Sequence, residues 1–195
     1  ARERPTKMWW DWSLAGKKTP EGKPIVKKAD VKGTKVNVYD TKKGEFIWIK
    51  DENPEYIWFN GEMKHSFIGD VIDDKTPASE VPGVTKGRFD KLDMSKPIVR
   101  INIPGGDAND PDSKIVPVKI HRGKQVYDSK RKILAVPKLF PAGENKGVAY
   151  WKAYDWDKAI AAGMDYIGQE YSGEYDFIQT EMVWRLAHMV PTAKD

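Results

Sequence analysis

The sequence predicts an α+β protein in which short β-hairpins and long irregular loops accompany one clear helix. Runs of β-branched and aromatic residues flank turn residues, as in 36–39 and 45–49 on either side of 42–44, and this pattern is typical of hairpins. Trp156, Ile160, Met164 and Ile167 share one helical face and predict a helix over residues 155–167. Eight Trp, eight Tyr and six Phe in 195 residues favour ordered packing over disorder.

Three stretches follow one another along the chain. Residues 1–34 contain an aromatic run at 8–14 and then a lysine- and glycine-rich run that we expect to be exposed. Residues 35–140 are rich in hairpin signals, of which the strongest is Asn60-Gly61 between two strand-like runs. Residues 141–195 contain the helix and a C-terminal histidine segment. The length suits a single domain or segment that comprises all three stretches.

Composition and turn residues predict the remaining elements. Residues 73–97, rich in Asp, Lys, Pro and Gly, indicate a long surface loop. Residues 97–103 alternate as a half-buried strand does. Residues 115–120 and 132–136 are two further predicted strands, and they bracket a segment around His121 that we expect to be flexible.

Composition also excludes several classes of protein. The net charge of +4 comes from 33 basic and 29 acidic residues that are mixed along the chain, unlike the basic stripe of a duplex-binding module. The absence of cysteine excludes disulfides, a thiol nucleophile, cysteine-ligated zinc, iron–sulfur clusters and the C-x-x-C-H attachment of haem within this sequence. The common nucleotide-binding, serine-hydrolase and zinc-protease motifs are absent too. With no apolar run near the roughly 20 residues that span a bilayer, we expect a soluble chain whose signal, if any, has been removed.

His121 is the first candidate ligand, because a neutral imidazole nitrogen can bind a metal or a haem iron. It precedes Arg122, Gly123 and Lys124, a positive cluster that could balance haem propionates or hold another anion. A surface or capping histidine is an equally good interpretation of the residue by itself.

His188 and His65 are the other two histidines. His188 lies in an apolar run beside Met189, so it is either a second ligand or a packed core side chain. His65 follows the Asn-Gly turn in a predicted strand, where a partly packed surface histidine is the simpler interpretation.

The acidic run at 106–113 offers oxygen atoms that a calcium ion would prefer. Pro111 occupies the fifth ligand position of an EF-hand loop, which does not fit that motif. We therefore interpret the run as an Asx-rich turn.

Several ordered blocks resemble a known family. They comprise 5–13 (PTKMWWDWS), 121–125 (HRGKQ) with 127–128, 137–140 (PKLF), 154–156 with 162–164, and 171–177 continuing to 188–190. In this order they are similar to the octahaem tetrathionate reductase family of multihaem c-type cytochromes. The chain resembles a cysteine-free stretch towards the C-terminal side of such a cytochrome.

The resemblance implies a function that the residues alone do not. A periplasmic or extracellular chain of this family carries covalently attached haems c, mostly with two histidine ligands, and transfers electrons to compounds such as tetrathionate, nitrite or hydroxylamine. His121 and His188 fall in the matching blocks and are the implied axial ligands of haem iron, with Arg122 and Lys124 beside the propionates. His65 matches less well. The haem would be attached by another chain or another part of the protein, so this chain would be part of an oxidoreductase without being catalytic by itself.

The implied partners are therefore a haem-bearing cytochrome chain or segment, electron-donor proteins and a small anionic substrate. Three relationships to such a cytochrome remain open: a fragment, a docking subunit, or a relative that has lost haem. A haem-free module that binds a protein or a glycan is the alternative from another class. An enzyme in its own right would need a metal site built from His65, His121 and His188.

Overall fold

The computed structural model describes residues 6–50 and 52–185, and within them eleven β-strands and two α-helices are found. The strands are β1 Thr6–Asp11, β2 Val26–Val31, β3 Thr34–Asp40, β4 Gly44–Ile49, β5 Glu55–Phe59, β6 Met63–His65, β7 Ile98–Arg100, β8 Asn102–Pro104, β9 Lys114–Asp128, β10 Ile133–Leu134 and β11 Tyr175–Arg185. The helices are α1 Tyr150–Ala153 and α2 Trp156–Tyr166. This sheet-dominated structure with one long helix confirms the predicted α+β class.

The 15-residue strand β9 organises the main sheet. Nine strands form this sheet in the described ranges, with the order β2-β3-β4-β1-β9-β11-β7, and β5 and β10 pair with the two ends of β9. Strand β1 runs parallel to β9, whereas β11 runs antiparallel to it over eleven residue pairs. All three predicted stretches contribute strands to this sheet, and their description as one domain or segment stays a prediction.

Helix α2 confirms the predicted helix. It begins after Asp155, whose side chain accepts a hydrogen bond from the backbone N–H of Lys158 at 3.1 Å and so caps the first turn. The apolar face of the helix packs into a core cluster that includes Val126 and Tyr150. In that cluster the rings of Tyr150 and Trp156 stack with their centroids 3.8 Å apart.

The first predicted hairpin is confirmed, but the second is wrong. Strands β3 and β4 pair antiparallel next to their turn. Strand β5 instead pairs with β9, and β6 pairs with β8 in a separate two-stranded sheet. The Asn60 side chain accepts a hydrogen bond from the N–H of Glu62 and donates one to Asp110, so the Asn-Gly turn joins two sheets. Pairing with distant strands therefore replaces the predicted local hairpin.

The strand boundaries around residues 97–136 also differ from the prediction. Residues 97–103 form two short strands, β7 and β8, which belong to different sheets. The predicted strand at 115–120 continues without interruption to Asp128, so the flexible segment expected around His121 is wrong. Continuous pairing with β11 holds this segment in the sheet.

The loop at 73–97 is irregular, as predicted, but it is not confined to the surface. Ala78, Val84 and Leu92 are buried and form a core cluster with Trp9 and Ile98. The loop therefore covers part of one face of the sheet.

Two expectations for exposed segments are confirmed. Residues of β2 are mostly exposed at the edge of the sheet. In the acidic run, Asp107 and Asp110 accept hydrogen bonds from the N–H groups of Asn109 and Asp112 at 2.7 and 3.0 Å. These are the Asx turns expected from the sequence.

Candidate functional site

His121 lies in the middle of β9, with one side of the strand buried and the other partly open. The neighbouring residues Ile120 and Arg122 are buried, whereas His121 is half-buried. Successive side chains of a strand point to opposite faces. His121 therefore points to the more open face of the sheet, beside the Trp184 ring, whose centroid is 5.7 Å from that of the imidazole.

The surface around His121 is apolar and aromatic. Residues directly opposite each other in a ladder share a face, so the strand register brings eight side chains of β5, β9 and β11 to the same side. We call them the open β9 face: Tyr56, Trp58, Ile115, Pro117, Lys119, His121, Met182 and Trp184. Tyr56 is 65% exposed, Ile115 60% and Trp58 40%. Contiguous exposed apolar side chains of this kind are typical of a surface that binds another apolar surface.

Lys119 is the cation of the open β9 face. It lies two residues before His121, opposite Trp184, and it is half-buried. Burial lowers the pKa of its ammonium group, because the charged form loses water contacts. Sequence reasoning missed this residue, although alternation from His121 along a correctly extended strand would have found it.

Arg122 points to the opposite, buried side of β9. Its guanidinium lies 3.0 Å from Glu181, 3.1 Å from Glu55 and 3.2 Å from Asp90. Glu181 also pairs with Arg100 at 3.2 Å. Burial alone would lower the pKa of Arg122, but the carboxylates of Glu55, Glu181 and Asp90 raise it above its ordinary value. The charge of Arg122 is thus balanced within the chain.

Lys124 and His65 lie apart from His121. Lys124 alternates with Gly123 and points away from the open β9 face, and its ammonium group lies 3.4 Å from Asp11. His65 is exposed on β6 and pairs with Asn102 in the two-stranded sheet. His188 and Met189 lie outside the described residues. Within residues 6–50 and 52–185, no three His, Asp or Glu side chains are grouped so that they could hold a metal ion.

A family model described as bacterial cytochrome c matches residues 7–195. The chain belongs to this family. A solved structure, the octahaem cytochrome c from Shewanella oneidensis, is 36% identical to the chain, with a TM-score of 0.71. The match covers 99% of this chain and 38% of that cytochrome, so the chain corresponds to a segment of a multihaem cytochrome. This confirms the relationship predicted from the sequence blocks.

No curated protein matches the chain. Among the residues that the structure describes, neither helix has the length and apolar character needed to cross a membrane.

Proposed function

We propose that this chain supplies haem ligands within a multihaem c-type cytochrome. His121 and His188 would each donate a ring nitrogen to the iron of a haem c that is attached by another chain or by another part of the protein. The observation that carries the proposal is the position of His121, a half-buried imidazole held by a central strand at one end of the open β9 face, beside Trp184.

The residues of the open β9 face fit a haem. A porphyrin presents a broad apolar plane, which aromatic and aliphatic side chains can cover. Trp184 provides the part of this surface beside His121, and Tyr56, Trp58 and Ile115 extend it along the strand and are substantially exposed. The regular ladder of β9 with β11 keeps the imidazole in a defined orientation, as an axial ligand requires.

The residue that we propose to balance a haem propionate near His121 differs from the two that were expected from the sequence. Arg122 and Lys124 lie on the other side of the strand and pair with carboxylates of the chain. We propose that Lys119 takes the role next to a haem propionate, because it shares the face of His121 and is already partly desolvated. Arg122 would then stabilise β9 through its ion pairs on the opposite, buried side of the strand. His65 stays a weaker candidate ligand, since its side chain is exposed on the small sheet.

The proposed role within the assembly is electron transfer. A bound haem would accept and release one electron at its iron, while this chain would hold the iron's ligand and keep water from one haem face. The larger protein would be a periplasmic or extracellular oxidoreductase that reduces small nitrogen or sulfur compounds of the tetrathionate, nitrite and hydroxylamine class. Its partners would be electron-donor proteins and a small anionic substrate. Membership of the bacterial cytochrome c family and the match to an octahaem cytochrome support this proposal.

The substitution His121→Ala in the haem-loaded cytochrome tests the ligand role. We expect one haem to change from a low-spin to a high-spin spectrum in optical absorption and electron paramagnetic resonance, because water or no ligand replaces the imidazole. Gln125→Ala is the matched control, since Gln125 lies on the same strand with an exposed side chain, and it should leave the spin state of every haem unchanged. Unchanged low-spin signals in His121→Ala would refute the ligand assignment.

The open β9 face also fits the alternative of a haem-free module that binds a protein, because Tyr56 and Trp58 are exposed aromatic anchors. The two functions differ in the loaded cytochrome. If the chain is a haem-free module, His121→Ala should change no haem spectrum. If His121 is a ligand, the substitution should change the spectrum of one haem.

A further inference from the structure

A second concave surface lies between β3 and β4, away from His121. The two strands pair only at Tyr39 with Glu45 and at Asp40 with Gly44, next to their turn. Beyond these pairs they separate, and β3 stays paired with β2 at the edge of the sheet. The separation opens a groove of about 560 Å³. This volume is within the range of about 300–1,000 Å³ that is typical of small-molecule sites.

The groove combines an aromatic wall with a basic lining. Phe46 and Trp48 of β4 face Val36 of β3 across it, and their rings lie 5.4 Å apart. The lining also includes Lys32, Lys43 and Lys50, with Asp40 as its only acidic member among the described residues. Apolar walls with a few charged groups favour a ligand that is apolar over most of its surface and anionic at its edge.

The lysines of the groove differ in whether a carboxylate of the chain pairs with their ammonium group. Lys32 is paired with Glu52. The ammonium group of Lys43 lies 5.3 Å from the Trp48 ring and 5.7 Å from the Phe46 ring. In the described part of the chain, neither Lys43 nor Lys50 has a carboxylate within ion-pair distance. Two cations next to an aromatic wall are thus available to an anionic ligand.

The groove opens on the same face of the sheet as His121. Trp10 of β1 pairs with Phe46 on one side and with Gly123 of β9 on the other. Residues paired in this way share a face. Gly123 and His121 are two residues apart in β9, so they lie on the same side of the strand. The ring centroids of Trp10 and Trp48 lie 5.7 Å apart. Aromatic side chains therefore continue from the groove towards β9.

We propose that this groove binds a planar, apolar molecule with carboxylates at one edge, the chemistry of a porphyrin dicarboxylate. The half-buried Trp48 contacts the flat surface, with the buried Phe46 packed against Trp48, and Lys43 and Lys50 pair with the carboxylates. In the proposed cytochrome this makes the groove a second haem-contact surface, one that provides no iron ligand. Its place in the cytochrome rests on the proposed function, but its affinity for a dicarboxylate porphyrin can be measured independently.

Binding of metal-free deuteroporphyrin to the 195-residue chain tests the proposal. This probe has two propionates and no iron, so histidine ligation cannot contribute to its binding. We expect saturable binding by fluorescence anisotropy, with quenching of Trp fluorescence. The double substitution Lys43→Gln and Lys50→Gln should weaken binding about tenfold through the loss of two exposed charge-assisted contacts.

Two controls separate the groove from other surfaces. Lys64→Gln with Lys75→Gln removes the same charge at two exposed positions, on β6 and in the 73–97 loop, that do not line the groove and should leave the affinity unchanged. The dimethyl ester of the probe should bind the wild-type chain as weakly as the acid binds the groove variant. Equal affinity of the groove variant and the wild type, or of the acid and its ester, would overturn the proposal without bearing on the ligand role of His121.

Discussion

Arg122 shows how one side chain can organise the surroundings of a candidate site that it does not enter. Its guanidinium joins Glu55 of β5, Asp90 of the 73–97 loop and Glu181 of β11. The side chains of Arg122, Asp90 and Glu181 are each only 1% exposed. A buried charge is tolerated only with such partners, since an unpaired one costs several kcal/mol.

Replacing Arg122 should therefore destabilise the fold. For Arg122→Met we expect the free energy of unfolding to fall by about 3–5 kcal/mol, because Asp90 remains buried without its cation and Glu181 keeps only Arg100. Chemical denaturation of both proteins measures the difference. Arg131→Met is the control, since Arg131 pairs with the exposed Glu170 and its loss should cost less than about 1 kcal/mol. A similar small effect at both positions would show that the Arg122 network is not structural.

Strand β9 shows how an element can join residues that local patterns assign to different segments. The run His121-Arg122-Gly123-Lys124 resembles a flexible basic turn in the sequence, yet it lies in the centre of the longest strand. Gly123 permits this arrangement. A Cβ atom on Gly123 would lie 2.1 Å from the carbonyl oxygen of Trp10, so glycine allows β1 to approach β9 closely. The turn-like composition thus reflects close strand packing.

Gly123→Ala should disturb the β1–β9 contact. We expect the free energy of unfolding to fall by about 1–3 kcal/mol, because the added methyl group overlaps rigid backbone. Thermal or denaturant unfolding measures it. At Gly147 a Cβ atom would meet nothing within 4 Å, so Gly147→Ala should stay within about 0.5 kcal/mol of the wild type. Equal stability of the two variants would contradict the close packing of these strands.

The sheet is covered unevenly. The 73–97 loop covers Trp9 and Ile98 on one face, and helix α2 packs near one end of β9. The open β9 face carries exposed Tyr56, Trp58 and Ile115. Since the chain spans 38% of the octahaem cytochrome that it matches, an uncovered apolar face is physically consistent with a segment that contacts more protein or a haem.

The open β9 face should make the isolated chain self-associate. For the double substitution Tyr56→Ser and Ile115→Thr, we expect the dissociation constant of self-association to rise about tenfold or more, because each side chain buries apolar area worth on the order of 1 kcal/mol. Sedimentation equilibrium measures it. The control, Tyr166→Ser with Val26→Thr, alters side chains that are 89% and 55% exposed elsewhere and should leave association unchanged. If both double variants associate equally, the open β9 face is not the contact surface.

Local patterns were sufficient for some elements and not for others. The helix at 156–166 and the turn between β3 and β4 depend on spacing and capping within a few residues, and both were predicted correctly. The pairing of β5 with β9 joins residues about 60 positions apart, and no local signal distinguishes it from the hairpin that Asn60-Gly61 favours. The family was recognisable because ordered motif blocks persist along the chain, whatever their pairing.

The candidate site likewise has features that the sequence predicts and features that only strand pairing decides. Ordered blocks in the chain pointed to His121, and composition showed that haem-attaching cysteines are absent from this sequence, since both are properties of residue identity. The direction in which each side chain points depends on strand register, which arises from pairing between distant segments. That pairing turned Arg122 and Lys124 away from His121, brought Lys119 beside it, and separated β3 from β4 to form the groove. Residue chemistry is local, whereas the face on which a residue lies is a property of the assembled sheet.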